Sequence, residues 1–465
     1  MPGIRSFRAT AVSAPRAGAT TVLVLMGAGQ LLATLDLFIV NTAFPAIHAD
    51  FPGTTNSALS WVLNAYAIAF AALLVPSGRL ADRYGRRRLF RVGMTLFAVA
   101  SAGCAASPWL GLLVAWRIVQ AGGAAVMVPT SLGLLLAAFP QQRHRGVVAI
   151  WSACGAVGSA LGPFLGGLLV EANWRWIFVV NLPIAAAVVY FARRLGETGH
   201  DERGGLPDLL GSALFAIGIA GAVAALANAN EWGAGSVALW LCLLVAVVAL
   251  GVFVWRSNRH PRPAIDLTLL RHPRFAFANV AMTCFFAGFA ISLLGIILFL
   301  TEVWHYSSVD AGLAFVPAPL IAIPAAIVGG RLPMSRRALA AIGSVLWGLV
   351  GVWWSLFLAT SSGYASGMLA PLLLGGIGFG LFSASIISAG TGMLPASQYA
   401  TGTGVINTAR QVGSAAGVAV AVALIGTGTL AGDYRSSWLC MAIFGALSAV
   451  FSISIGKDKP TSDGG

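Results

Sequence analysis

Charge is what this sequence has least of. Only 9% of its 465 residues are charged while 58% are hydrophobic, against about a quarter charged in a soluble domain. Such a chain cannot cover a water-exposed surface with polar groups, so lipid must solvate it. The cysteines are few, and Cys104, Cys154, Cys242, Cys284 and Cys440 all fall inside apolar runs with no close-spaced pair. That excludes a disulfide framework and a cysteine metal site, and the six histidines show no ligand spacing. No Gly-x-x-x-x-Gly-Lys stretch is present, so no P-loop cradles a nucleotide. No nucleophile–base pair lies near an interface, and neither an enzyme nor a cofactor is expected. The net charge of +13 would point to nucleic acid only if it were clustered. It is dealt out over many short loops, which excludes that partner.

What is there is apolar length. A helix needs about 20 residues to cross the hydrocarbon core. Fourteen runs reach it, near 20–44, 58–79, 89–107, 109–138, 147–170, 175–193, 207–228, 235–255, 275–301, 311–331, 337–360, 365–391, 403–430 and 436–456. Arg5, Arg8 and Arg16 before the first run resemble a signal peptide, but that run is long, contains Asp36 and lacks a cleavage site, so it reads as a retained span. With the N-terminus placed in the cytoplasm, 24 of the 28 basic residues fall on the cytoplasmic side. One missed helix would invert that bias, so fourteen spans with both ends cytoplasmic is the expectation. Trp61, Trp109, Trp174, Trp232, Trp304 and Trp438 fall near the outer ends, where an interfacial aromatic belt belongs.

The longest inner connections, 194–207 and 256–274, bracket spans 7 and 8 and leave six spans on each side. The expected division is 1–195, a six-helix bundle; 196–274, two inserted helices; and 275–465, a second bundle with a short tail. A repeat supports it. Gly78-Arg79-Leu80 follows span 2, and Gly330-Arg331-Leu332 follows span 10. The first copy runs on as Ala81-Asp82-Arg83-Tyr84-Gly85-Arg86-Arg87-Arg88, while the second keeps the basic turn with Met334 in place of Asp82.

The loop Gly78–Arg88 resembles the cytoplasmic signature of the major facilitator superfamily. Other motifs are similar to those of its fourteen-span drug:proton antiporter branch, the multidrug efflux transporters. They are Leu35-Asp36 through Asn41 and Pro45 in span 1, Arg117 with Gln120, Gly122 and Gly123 in span 4, and Gly155, Gly158, Gly162-Pro163 and Gly166-Gly167 in span 5. Asn173-Trp174-Arg175 with Asn181 opens span 6, and Asn407 with Arg410-Gln411 and Gly413 marks span 13. Phe38 departs from the pattern, standing where a small hydroxyl residue is usual. The resemblance implies an all-α integral membrane protein of two six-helix bundles plus two additional helices. It also implies that Asp82, with Gly78, Arg83, Gly85 and Arg86, latches the cytoplasmic side, and that Gly158, Gly162, Pro163 and Gly166 shape a gate.

Asp36 is the one carboxylate deep inside a span. A bare carboxylate there costs at least about 2.5–3.5 kcal/mol, so it needs a cavity or a partner. At 1.5 Å per residue, Asp36 lies roughly 24 Å from the inner edge and Arg117 roughly 12 Å below the outer one. Both fall in the outer half of the membrane. The expectation is an Asp36–Arg117 pair in which Asp36 carries the proton; a static ion pair is the alternative. Asn41, Tyr66, Gln120 and Arg410 are candidates for a substrate cavity, with a snorkelling role for Arg410 weighed equally. The leading function is proton-driven export of amphiphilic small molecules through the cell membrane by a monomer. A proton-coupled uptake symporter is the alternative, and a sensor without transport the more distant one.

Overall fold

A computed structural model of the chain describes residues 18–196, 207–358, 363–392, 394, 399–426 and 430–456; the side chains of Asp82, Gln141, Arg145, Ala149, Ala156, Tyr399 and Ala400 lie outside the described residues. All regular structure among them is helical. Fourteen helices are long and apolar enough to cross a membrane. Spans 1–7 are Ala19–Thr42, Asn56–Ala81, Arg86–Ala105, Leu110–Ala138, Gly146–Ala172, Trp176–Arg194 and Leu209–Ala227. Spans 8–14 are Val237–Arg259, Pro273–Val303, Ser308–Arg331, Arg336–Phe357, Tyr364–Thr391, Thr401–Ile425 and Ala431–Ser454. We call the side on which span 1 begins the near side and the other the far side.

The sequence signals account for the boundaries. Gly85, at φ +94°, ends the helix of span 2 and begins span 3, a backbone that residues with a Cβ rarely adopt. Ser335 starts span 11 by accepting a hydrogen bond from the Ala338 amide. Span 10 breaks into Ser308–Phe315 and Pro317–Arg331, because Pro317 has no amide hydrogen to give. Span 13 stops at Ile425, short of the expected 430, with Gly426 in a left-handed conformation.

Packing repeats across the chain. Span 1 lies on span 5, and spans 2 and 3 lie on span 4; in the same pattern span 9 lies on span 13, and spans 10 and 11 on span 12. Glycines permit the closest crossings, since helix backbones approach where no side chain intervenes. Gly93 of span 3 faces the Gly123 carbonyl of span 4, and Gly343 of span 11 faces the Gly378 carbonyl of span 12. On span 5, Gly155, Gly158, Gly162 and Gly166 all face span 1, where a Cβ on Gly158 would stand 2.6 Å from the Leu31 carbonyl. Span 7 packs on span 8 and against both span 2 and span 13.

The two blocks of six meet along spans 2 and 13 and on the far side. There Gly167 abuts the Ser308 carbonyl, Gly312 abuts the Pro163 carbonyl, and Asn56 donates to the Gly426 carbonyl at 2.5 Å. The rings of Phe38 and Phe289 close the centre of this seam, 5.8 Å apart and edge to face. On the near side span 5 makes little contact with the inner half of span 10, and Gly146 and Gly330 face open space.

The tryptophan belt is only partly as expected. Trp109 is exposed, but Trp174 and Trp438 are buried. Trp174 donates to Asp50 at 2.7 Å and packs on Phe51 and Phe178; Trp438 packs on Trp354 and Tyr434. Their positions along the chain fixed their depth in the membrane but not which way each ring turns.

Candidate functional site: a buried Asp–Arg centre and a solitary arginine

Spans 1, 3, 4 and 6 bring five polar side chains to one fully buried point. Asp36, Ser101, Arg117, Gln120 and Asn181 are all completely excluded from the surface. Arg117 donates from Nη1 to Asp36 Oδ2 at 2.6 Å. The same nitrogen reaches Gln120 Oε1 at 2.6 Å, one helical turn along span 4. Gln120 Nε2 in turn donates to Asp36 Oδ1 and to Ser101 Oγ, both at 2.8 Å, and Asn181 Nδ2 donates to Asp36 Oδ1 at 3.1 Å. Arg117 Nε meets the Val62 carbonyl of span 2 at 3.0 Å, and its guanidinium carbon stands 4.2 Å from the Tyr66 ring centre. The carboxylate thus accepts three hydrogen bonds, from three side chains on two other spans.

Such a centre is stable only while it is paired. In hydrocarbon an ion pair survives where hydrogen bonds satisfy both partners, and removing one partner leaves an uncompensated charge. One Arg117 nitrogen, Nη2, is buried without an acceptor.

The other expected site residues distribute unevenly. Tyr66 and Gln120 belong to this centre. The Asn41 amide donates to the Leu37 and Phe38 carbonyls of its own helix. Arg410 is partly buried, its guanidinium carbon lies 5.7 Å from the Phe286 ring centre, and its Nε has no acceptor. Gly158, Gly162 and Gly166 contact span 1, while Pro163 offers its carbonyl side to Gly312 of span 10, so this stretch of span 5 touches both blocks.

At the signature loop the arginines reach neighbouring backbone. Arg79 donates to the Pro263 carbonyl at 2.6 Å, Arg86 to Gly133 at 3.3 Å, and Arg87 to Leu195, just past span 6, at 2.7 Å. In the second copy Arg337 donates to the Ile453 carbonyl near the end of span 14, at 3.4 Å. The repeat therefore extends to what its arginines hold. Arg83 lies over the Tyr84 ring, and Gly78 sits close to Pro129. The side chain of Asp82 lies outside the described residues.

Ser101 is a member of the centre for which the sequence gives no signal, because serine is common in membrane helices. Two ion pairs at span ends were also not legible. On the far side, hydrogen bonds from Trp174 and Arg175 hold the Asp50 carboxyl below its ordinary range. On the near side, burial opposes ionisation of Asp208, but the Gly211 amide and Arg256 outweigh it and lower that carboxyl too. Asp208 thereby caps span 7 and ties it to span 8.

Comparison with known proteins adds an independent line. The Major Facilitator Superfamily profile matches residues 26–418. The cephamycin export protein CmcT of Amycolatopsis lactamdurans is 33% identical over 97% of this chain and 96% of its own length. The multidrug resistance protein Stp of Mycobacterium tuberculosis is 34% identical over 86% of this chain and 74% of its own. In fold, a crystal structure of a D-xylose–proton symporter superposes with a TM-score of 0.69 at 14% identity, over 94% of this chain and 98% of that one.

Proposed function

The chain belongs to the major facilitator superfamily, and on that premise we propose that it exports amphiphilic small molecules across the cell membrane in exchange for protons. It is a multi-pass membrane protein of a transporter family, not an enzyme. The observation that carries the coupling is the buried contact of Asp36 with Arg117 at 2.6 Å, completed by Gln120 and Asn181. Intramembrane ionisable groups mark ion and substrate pathways. Asp36 is the proton carrier in this reading, and Arg117 its exchangeable partner. That related chains carry the names of export and multidrug resistance proteins supports the direction.

In this reading the near side is cytoplasmic, both termini face it, and the cytoplasmic bias of the arginines supports that placement. Residues 1–195 and 275–465 rock as two bundles about a central site, with 196–274 as an inserted pair and a single chain sufficient for transport. Asp82 latches the cytoplasmic side when the far side opens. The test is transport in everted vesicles. Acidifying the lumen should drive drug accumulation for an exporter, whereas a symporter would lose lumenal substrate under the same gradient.

A further inference from the structure

Among the described residues, one positive charge inside the membrane spans has no carboxylate to balance it. Asp36 cancels Arg117, but among the described residues Arg410 has no carboxylate partner, and its Nε is buried with no acceptor. Nine residues into span 13, it lies about 14 Å deep, too far for its guanidinium to be held at an interface. Tyr66 lies on span 2 across the seam from span 13, where Thr408 donates to the Ala71 carbonyl at 3.3 Å, and it presents a buried hydroxyl without a partner. Aromatic rings lie beside Arg410. Phe286 under Arg410 meets Phe289 at 5.6 Å, both meet Phe379 at 5.9 and 5.0 Å, and Phe38 reaches Phe289 from the other block.

An unneutralised guanidinium in hydrocarbon is costly and calls for a partner. Resting on the export reading above, we propose that Arg410 and the Tyr66 hydroxyl form an anion subsite beside the Phe38, Phe286, Phe289 and Phe379 rings, and that the substrates are amphiphilic organic anions. A guanidinium offers a planar fork that fits a carboxylate or sulfonate. The phenol adds one donor, and the rings take an apolar or aromatic body. A lipophilic cation would meet an uncompensated positive charge there. The proton centre is on the first block and electrically neutral while Asp36 is ionised, so proton and anion do not compete for one group. Tyr66 touches both sites, with its ring 4.2 Å from the Arg117 guanidinium carbon.

The test is binding to the purified full-length chain in nanodiscs, with empty nanodiscs as the blank. The probes are 1-anilinonaphthalene-8-sulfonate and N-phenyl-1-naphthylamine, which share an aromatic body but differ in the sulfonate. The wild type should prefer the sulfonate by about tenfold or more. Arg410→Gln should abolish that preference without weakening the uncharged probe, and Arg410→Lys should retain part of it. Tyr66→Phe, which keeps the ring under Arg117, should weaken only the sulfonate, and it carries the test if Arg410→Gln fails to fold. Equal affinities for the two probes in the wild type overturn the proposal. So does an Arg410→Gln or Tyr66→Phe variant with undiminished preference. Binding is read with no gradient, so intact discrimination alongside absent acid-driven transport would contradict the export reading and leave the subsite standing.

Discussion

At the scale of single residues, the centre of the protein depends on how Asp36 and Arg117 hold one another. Neither side chain has any exposure, so losing one partner strands a charge. Arg117→Gln should destabilise the chain by about 3–5 kcal/mol, and adding Asp36→Asn should restore much of it. Thermal unfolding of the single and double variants checks this, and a double variant no more stable than the single would contradict it. Asp50 gives the pH counterpart. Its carboxyl is lowered by Trp174 and Arg175 from the ordinary 3.8, so its stabilisation is present above about pH 4 and is lost as pH falls through the folded-state value. The two side chains are 33% and 46% exposed, which limits the pair to about 0–1 kcal/mol. Asp50→Asn should therefore lower the melting temperature slightly at pH 7 and leave it unchanged near pH 2 (melting curves at the two pH values decide).

At the scale of elements, span 5 is where the proposed rocking of the blocks meets the tightest packing. One stretch of it packs glycine by glycine on span 1, and the same stretch touches span 10. Gly158→Leu drives a side chain into the Leu31 backbone and should cost about 1–3 kcal/mol together with transport. Gly155→Ala meets only the flexible Gln30 side chain and should be nearly silent in stability and uptake assays. These elements were legible from apolar length and glycine spacing, because both are local properties. Orientation within them was not. In lipid an outward face is as apolar as an inward one, so hydrophobic periodicity does not say which way a helix turns. Hence Asp36 and Arg117 could be paired from depth alone, while Ser101, the burial of Trp174 and Trp438, and the self-bonded amide of Asn41 could not.

At the scale of the molecule, contacts between the blocks gather on the far side and along spans 2 and 13, while Gly146 and Gly330 stand free on the near side. A substituted cysteine at either glycine has room for a spin label. Labels at the two positions, with the native cysteines replaced, should show a long distance that shortens when substrate and an acidic far side are supplied. An unchanged distribution under all conditions would exclude closure of the near side. The central claim is that the proton is carried by Asp36, and reconstituted Asp36→Asn tests it most directly. Transport is measured in proteoliposomes, using a compound first chosen by a growth-inhibition panel in an efflux-deficient host. The variant should retain exchange of labelled for unlabelled compound while losing accumulation driven by a pH gradient. Gradient-driven accumulation at the wild-type rate, at equal protein levels, would contradict it.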